Sequence, residues 1–372
     1  MRLFLACAVS AAVVLVSPFM GRIQAFLRSS LSTEAYVLIL GVAVGGSILA
    51  AIVAAFVRIR DRRLLRFVIM AGAGVTGLAY TSLMSTGDAT IDAVERVHFV
   101  TYGLIAVLFY RVWRHAGDPS SIVLPMLCGF VVGTLDEWLQ WFIPFRVGEM
   151  HDVLLNFTAL ACGVMFAVAP EPPAAFTMRR GADGRPRIGM APAVAVLIFG
   201  GFVGVVHVGH ELQVDGIGRF ASRHTAAELE SHQRERGCRW TVQPPIGISR
   251  LSREDQYLDE GLWHVRERNR LWDAGDFTGS WHENLILERF FTPILDLPTY
   301  MSPTGTRWPA EHRRDAEGRV VHLSGGQVPP PQFVSDAAPY PIHFWNKTAY
   351  WTAVLAAAAL LAATKVLRPR GR

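Results

Sequence analysis

Eight long apolar segments restrict the folds that this chain can form. Each has about 17 to 23 residues, the length that a helix needs to cross a hydrocarbon core of about 30 Å. The segments begin near Leu3, Ala35, Leu64, Val97, Ser121, Asp152, Pro192 and Ala349. Because lipid offers no partner for backbone hydrogen bonds, each segment should be a helix. The sequence therefore predicts a mainly α, polytopic membrane protein with about eight transmembrane helices.

Arginine-rich stretches predict how these helices are oriented. Four basic clusters follow the second, fourth, sixth and eighth segments, and basic loops tend to remain cytoplasmic. The clusters are Arg58, Arg60, Arg62, Arg63 and Arg66; Arg111 and Arg114; Arg179, Arg180, Arg185 and Arg187; and Lys365, Arg368, Arg370 and Arg372. All four fall on one side if both termini are cytoplasmic. The net charge of +5 is explained by these loops, so no nucleic-acid partner is predicted.

The first apolar segment is expected to be a retained helix. Met1 and Arg2 precede it as in a signal peptide, but no small-x-small cleavage site follows. With this helix included, the chain divides into five predicted parts. They are three N-terminal transmembrane helices (1–85), a transmembrane core (86–170), a cytoplasmic loop with the seventh helix (171–210), an extracytoplasmic domain (211–346), and the last helix with a basic tail (347–372).

The 211–346 segment has a composition unlike the rest of the chain. It is charged, free of lysine and rich in tryptophan, so we expect aromatic burial to order it. Thr225-x-x-Glu228 predicts a capping box and a helix that continues through Glu235. Residues 254–272 predict one or two helices, broken at Gly261.

After Phe291 the helical periodicity fails, and nine prolines follow before residue 345. We therefore expect an extended strap from Thr292 to Phe344. Four aromatic residues along it are candidates for anchoring the strap on another surface, either the helical part of this same domain or a partner protein. They are Phe333, Tyr340, Phe344 and Trp345.

A set of ionisable and amide side chains lies within or beside the fourth, fifth and sixth apolar segments. Its members are Glu95, Arg96, His98, Tyr102, Asp136, Glu137, Gln140, Arg146, Asp152 and Asn156. A charged side chain near the bilayer centre costs at least roughly 2.5 kcal/mol, so such a set is retained for pairing, for a polar cavity or for function. Spacings of four residues place several pairs on single helix faces. The predicted topology brings all three groups to the outer leaflet.

The ordered motifs in this region resemble the VanZ-like membrane domain. The resemblance covers residues about 90–168 and rests on His98-Phe99-x-x-Tyr102, Asp136-Glu137-x-x-Gln140 with Arg146, and Asp152-x-x-x-Asn156. Ala159 stands where the family has a glycine. The family is linked to bacterial envelope phenotypes, including resistance to a glycopeptide antibiotic. The resemblance implies a multi-pass protein of the bacterial inner membrane, with an envelope-derived or glycopeptide-like ligand.

Two interpretations of the polar set stay open. The side chains could pair and hold three helices in register, since nothing in lipid would otherwise satisfy them. Alternatively they form an outer-leaflet pocket for an anionic lipid-linked or cell-wall-related substrate. In that pocket paired carboxylates and His98 would supply acid–base groups, and the Arg146 guanidinium would be an anion clamp. Small residues at Gly129 and Gly133, and at Ala159 and Gly163, should let the fifth and sixth helices approach closely. A catalytic role and a binding role are both compatible with such a pocket.

A second function class is a non-enzymatic accessory subunit of a respiratory or photosynthetic membrane complex, which would use the aromatic strap to hold other membrane subunits. No cofactor is predicted. His207 and His210 form the one metal-like spacing, since residues three apart share a helix face. Because interfacial histidines are common, an unliganded membrane interface is the preferred interpretation over a metal or pigment ligand.

The topology prediction can be tested with reporter fusions to the full chain. A reporter fused near Gly275 should behave as extracytoplasmic, and one fused after Arg180 as cytoplasmic, because the basic loops hold the second site inside. Alkaline phosphatase and fluorescent-protein fusions would measure this. Activity of both fusions in the same compartment would contradict the eight-helix topology.

Overall fold

The computed structural model describes residues 1–116, 118–143, 146–173, 188–245, 253–323 and 333–366. The predicted basic cluster between Arg179 and Arg187, the last three arginines of the tail, and the prolines at 329–331 lie outside the described residues. Contacts divide the chain into two compact units. Unit 1 contains Met1–Gln140, Gly148–Phe202 and Thr352–Arg372, and unit 2 contains Trp141–Val147 and Val203–Trp351.

The mainly α membrane fold is confirmed. Within the described residues, six helices are long and apolar enough to cross a membrane. They are α1 (Arg2–Ser30), α2 (Thr33–Arg58), α3 (Arg63–Leu83), α4 (Ala89–Trp113), α5 (Ser120–Trp141) and α6 (Met150–Val168). The two remaining apolar segments form shorter apolar helices, α7 (Ala191–Val206) and a helix that begins at Lys347.

Close approach of α4 and α6 forms the centre of unit 1. A Cβ atom at Gly163 would lie 2.6 Å from the carbonyl oxygen of Gly103 and 2.7 Å from its Cα. Gly129 likewise faces the side chain of Leu160, and Gly133 faces Asn156. Gly129 and Gly133 therefore permit the contact predicted between the fifth and sixth helices, whereas Gly163 packs against α4 and not against the fifth helix as predicted. Tyr102, Ile105, Phe109, Leu155 and Leu160 are buried around them.

An acidic side chain joins the C-terminal ends of α2, α4 and α6 in unit 1. The Glu171 carboxylate pairs with Arg58 at 3.0 Å, with Arg111 at 3.8 Å and with Arg114. The Tyr110 hydroxyl also donates to the Glu171 carbonyl. Arginines from two of the predicted basic clusters therefore lie at the same end of the helices that carry them.

Unit 2 contains a two-stranded antiparallel sheet and several helices around its own apolar core. The elements are β1 (His210–Val214), β2 (Gly218–Ser222), α8 (Ala226–Trp240), α9 (Arg253–Asp273), α10 (Phe277–Phe290), α11 (Thr292–Asp296), α12 (Ala310–Leu323) and the first residues of α13 (Lys347–Val366). The core includes Phe220, Trp240, Tyr257, Leu287, Phe290 and Phe291. The tryptophan-rich segment is thus ordered in part by aromatic burial.

The helix predicted after Thr225 is confirmed, whereas the break predicted at Gly261 is wrong. Thr225 and Glu228 exchange side-chain and backbone hydrogen bonds as a capping box, and α8 extends to Trp240. α9 runs unbroken through Gly261. A Cβ at this position would collide with Ile294 and Phe291. The glycine therefore allows close packing against α11, which offsets its cost of about 1 kcal/mol within a helix.

The strap predicted from Thr292 to Phe344 is wrong in its first half. α11 and α12 both lie within it, because their prolines stand at helix starts, where no backbone N–H is needed. Pro293 occupies the first turn of α11, and the Pro309 carbonyl accepts from the Arg313 N–H at the start of α12. Residues 333–335 pair with β2: Arg219 N donates to the Phe333 carbonyl at 2.8 Å, and Ser335 N donates to the Arg219 carbonyl at 2.9 Å.

The Gly163 contact can be tested with a pair of alanine substitutions. Gly163→Ala should lower the midpoint of thermal unfolding in detergent, because its Cβ forces α4 and α6 apart at a cost of about 1–3 kcal/mol. Circular dichroism would follow the transition. Gly74→Ala is the control, since no atom lies within 4 Å of its added Cβ. Equal midpoints for the two variants would contradict the proposed role of this contact.

Candidate functional site

Six polar side chains from three helices meet inside unit 1, and we call them the inner network. His98 and Tyr102 come from α4, and Asn156 comes from α6. α5 supplies Asp136, Glu137 and Gln140. The glutamate is 0% exposed and Asn156 is 1% exposed. Buried polar groups in such surroundings require hydrogen-bond partners, and the network provides them across the helices.

Two donors hold the Asp136 carboxylate. The Tyr102 hydroxyl donates to Oδ2 over 2.8 Å, and the Gln140 side-chain amide donates to the same oxygen over 3.3 Å. Gln140 lies one helical turn after Asp136, so α5 itself supplies the second donor. Hydrogen bonds to a charged acceptor are stronger than neutral ones. The contact with Tyr102 therefore joins α4 to α5.

Glu137 and Asn156 determine which nitrogen of His98 carries a proton. Asn156 Nδ2 donates to Glu137 Oε1 over 3.2 Å, and Gln140 Nε2 donates to that oxygen over 3.1 Å. This arrangement turns the Asn156 carbonyl toward His98, whose Nδ1 lies 2.8 Å from Oδ1. Since a carbonyl oxygen only accepts, His98 donates from Nδ1. Its Nε2 is then the ring nitrogen that can accept a proton.

A second group of polar residues surrounds the beginnings of α4 and α6, and we call it the rim. The His151 imidazole lies 3.6 Å from the Asp152 carboxylate and stacks on the Tyr80 ring at 6.3 Å between centroids. Glu95 interacts electrostatically with both residues of that pair. Glu149 precedes α6 directly. These side chains are half-buried, and Arg96 is exposed.

The spacing along α4 separates the rim from the arginines by a distance close to the thickness of a hydrocarbon core. Glu95 precedes Arg114 by nineteen residues, which corresponds to about 28 Å of helix. This length matches a hydrocarbon core of about 30 Å. Tyr102 lies seven residues after Glu95, or about 10 Å further along the helix. Along α4, Tyr102 of the inner network therefore lies between the rim and the arginines.

Arg146 belongs to unit 2. The inner network and the rim belong to unit 1, so the anion clamp that was predicted for Arg146 stays a prediction. The other nine predicted residues of the polar set belong to unit 1, where six form the inner network and Glu95 and Asp152 belong to the rim.

Two of the four predicted partner-binding aromatics pack within unit 2. Trp141 Nε1 donates to the Tyr340 hydroxyl over 2.6 Å, and the Arg223 guanidinium contacts the same hydroxyl. Burial raises the pKa of Tyr340 to about 12, so this hydroxyl stays neutral. Phe333 stacks on His282 at 5.0 Å. Partner binding stays a prediction that now rests on the exposed residues Phe344 and Trp345.

The helix face assumed for His207 and His210 is wrong. α7 ends at Val206, and His210 is the first residue of β1. His207 Nδ1 lies 2.8 Å from the Pro341 carbonyl and is the donor in that contact, since a carbonyl accepts. Among the described residues, no group of three or more histidine, cysteine or acidic side chains is placed to hold a metal ion.

Unit 2 also contains buried polar groups that the sequence interpretation missed. His264 Nδ1 lies 2.7 Å from Glu283 Oε2, and both residues are buried between α9 and α10. A small pocket beside His264 is lined by Arg223, Glu260 and Trp263. Glu260, His264 and Arg268 recur every four residues along α9, and this spacing could have indicated a polar helix face facing inward.

Burial also lowers the pKa of a histidine in unit 2, His224. His224 lies against the ring of His232, with 4.9 Å between centroids. Desolvation lowers the pKa of His224 to about 4. The imidazole is therefore neutral at physiological pH, because burial disfavours its charged form.

Comparison with known families locates one match. Residues 81–170 match the VanZ/LLP1 family, and the rest of the chain has no family match. No curated protein and no solved structure matches the chain. The resemblance predicted for residues about 90–168 is thus confirmed. The matched region contains the inner network and the rim.

The inner network can be tested with two tyrosine substitutions. Tyr102→Phe should reduce the free energy of unfolding by roughly 1.5–3 kcal/mol, since it removes a buried hydrogen bond to a carboxylate. Tyr80→Phe is the control, because the Tyr80 hydroxyl makes no hydrogen bond to a described residue and the ring is retained. Unfolding of both variants in detergent would be compared. A loss for Tyr80→Phe as large as that for Tyr102→Phe would contradict this interpretation.

Proposed function

We propose that residues 81–170 form an outer-leaflet site that binds an envelope or lipid-linked substrate of a bacterial inner membrane. The observation that carries this proposal is the division between the inner network and the rim. The inner network makes hydrogen bonds among its own members, whereas the rim places charged side chains at half-buried positions. The inner network then holds α4, α5 and α6 in register and supports a rim that is available to a ligand.

The charges of the rim favour a particular class of ligand. Glu95, Glu149 and Asp152 are three carboxylates near the beginnings of α4 and α6, and His151 is the neighbouring imidazole. In a partly dehydrated site, carboxylates bind amines and hydroxyl groups through charge-assisted hydrogen bonds. A headgroup or glycopeptide that carries an amino sugar or several hydroxyls fits this surface better than a purely anionic one.

His98 belongs to the inner network and interacts electrostatically with Glu95 of the rim. Its Nδ1 is fixed by Asn156, so Nε2 is the nitrogen that can accept a hydrogen bond or a proton from a ligand hydroxyl. The Asn156–Glu137 contact holds the orientation of the ring indirectly. This arrangement suits ligand recognition and would also suit general-base chemistry at a hydroxyl.

The proposed orientation places the rim on the extracytoplasmic side. Arg58, Arg111 and Arg114 meet at Glu171, at the other ends of their helices. Because arginine-rich ends tend to remain cytoplasmic, the rim would face the envelope. An envelope-derived ligand would then reach it without crossing the membrane.

The proposal is tested by substitutions that separate ligand binding from folding. Full-length chain would be expressed in a bacterial host, and the concentration of a glycopeptide antibiotic that stops growth would be measured. Glu95→Gln and His98→Gln should remove most of the increase in resistance conferred by the unsubstituted chain. The glutamine amide at position 98 can still donate to Asn156, so folded protein in the membrane should remain near its normal amount.

Glu34→Gln is the matched control, since Glu34 is an exposed carboxylate in the first turn of α2. It should leave resistance unchanged. Asp136→Asn should instead reduce folded protein, because it weakens the inner network. The proposal is contradicted if the unsubstituted chain gives no resistance, or if Glu95→Gln and His98→Gln retain it in full.

A further inference from the structure

We propose that Phe344 and Trp345 insert into the lipid headgroup region and hold unit 2 against the membrane surface. These two residues stand directly before the apolar helix α13. Phe344 is 52% exposed and Trp345 is 49% exposed. The occupant that we infer for this surface is the headgroup and upper acyl region of a bilayer.

The end of α7 and the beginning of α13 are joined through the backbone. Gly209 N donates to the His343 carbonyl over 3.1 Å, and His343 N donates to the His207 carbonyl over 2.6 Å. Val208 and His343 form an isolated parallel bridge. One apolar helix therefore ends, and another begins, at the same place within unit 2.

Side chains continue this contact into the two helices. A Cβ atom at Gly204 would lie 2.8 Å from both the Tyr350 ring and the Trp351 ring. The glycine thus lets α7 approach the first turn of α13 closely. Two apolar helices that are joined at their ends and packed together locate a membrane boundary near His207 and His343, because their polar connections must stay outside the hydrocarbon.

Ring stacking fixes the orientation of Trp345 at this boundary. The rings of His343 and Trp345 stack with 4.8 Å between centroids, and Trp345 stacks on Tyr350 at 5.8 Å. A fixed ring loses little conformational entropy when it inserts. Tryptophan and tyrosine are enriched at membrane interfaces, where the ring lies among headgroups and its polar atom reaches water.

The neighbouring polar contacts favour lipid over a protein partner. Lys347 Nζ donates to the Arg223 carbonyl over 3.1 Å, so the ammonium lies at the same boundary as the aromatic rings. Lysine beside tryptophan at a helix end is typical of an interfacial anchor. Phe344 and Trp345 adjoin the apolar surface of α13, where Leu355 and Leu360 are exposed, and a bilayer covers such a surface continuously.

The test measures the depth of position 344 in a membrane. Phe344→Cys would be made in full-length chain whose four native cysteines are replaced by serine, labelled with a nitroxide and reconstituted in phosphatidylethanolamine–phosphatidylglycerol vesicles. The ratio of oxygen to nickel-chelate accessibility should be several-fold higher than for Val242→Cys, a residue of unit 2 that is 82% exposed. Equal ratios would overturn the proposal. Shielding from both reagents would also overturn it, since a protein would then cover the site.

A second measurement retains the native cysteines. In vesicles whose acyl chains carry bromine near the headgroups, Trp345→Phe should show a smaller loss of tryptophan fluorescence than the unsubstituted chain. Trp263→Phe is the matched control and should not reduce the quenching, because Trp263 lines the pocket beside His264. Unchanged quenching in Trp345→Phe would overturn the proposal even if the cysteine-free chain fails to fold.

Discussion

Burial of the adjacent carboxylates Asp136 and Glu137 is the constraint on which the arrangement of α4, α5 and α6 depends. An unpaired charge in such surroundings costs roughly 3–5 kcal/mol. Each carboxylate therefore needs donors, and the Gln140 amide of α5 donates to both. Tyr102 donates to Asp136 from α4, and Asn156 donates to Glu137 from α6. The helices must take one relative position for these contacts to form, which gives a bundle in lipid the specificity that apolar packing alone does not provide.

The glycines make this position sterically possible. Gly163 lies against the backbone of Gly103, one turn after Ala159. Such proximity brings side chains on neighbouring faces within hydrogen-bond distance. Packing and polar recognition therefore act together: small residues set the separation of the helices, and the polar side chains set their rotation and register.

The sequence predicted the parts of the structure that follow from periodicity. Apolar length located the helices, and spacings of four residues indicated that His98 and Tyr102, or Asp136 and Gln140, share faces. The capping box at Thr225 also followed from local chemistry. The division of the polar set into an inner network and a rim did not, since it depends on the depth and rotation of each helix, and these are set by contacts between segments far apart in the chain. The errors in unit 2 have a similar origin: Pro293 and Gly261 suggested helix breaks, but the first stands where a helix begins and the second packs against Phe291. A proline is compatible with a helix when it stands in the first turn, and a glycine is favoured within a helix when another element packs closely against it.

The backbone contact between residues 207–209 and His343 brings the two ends of a long segment together. The long segment from Gly209 to Ile342 leaves and returns at neighbouring points, in the manner of a domain inserted into a turn between two helices. Insertions of this kind disturb their host little, because the distance to be bridged is the same with or without the insert. A chain that lacks this segment could connect α7 to α13 through a short turn, and the segment could be exchanged for another without altering the helical scaffold.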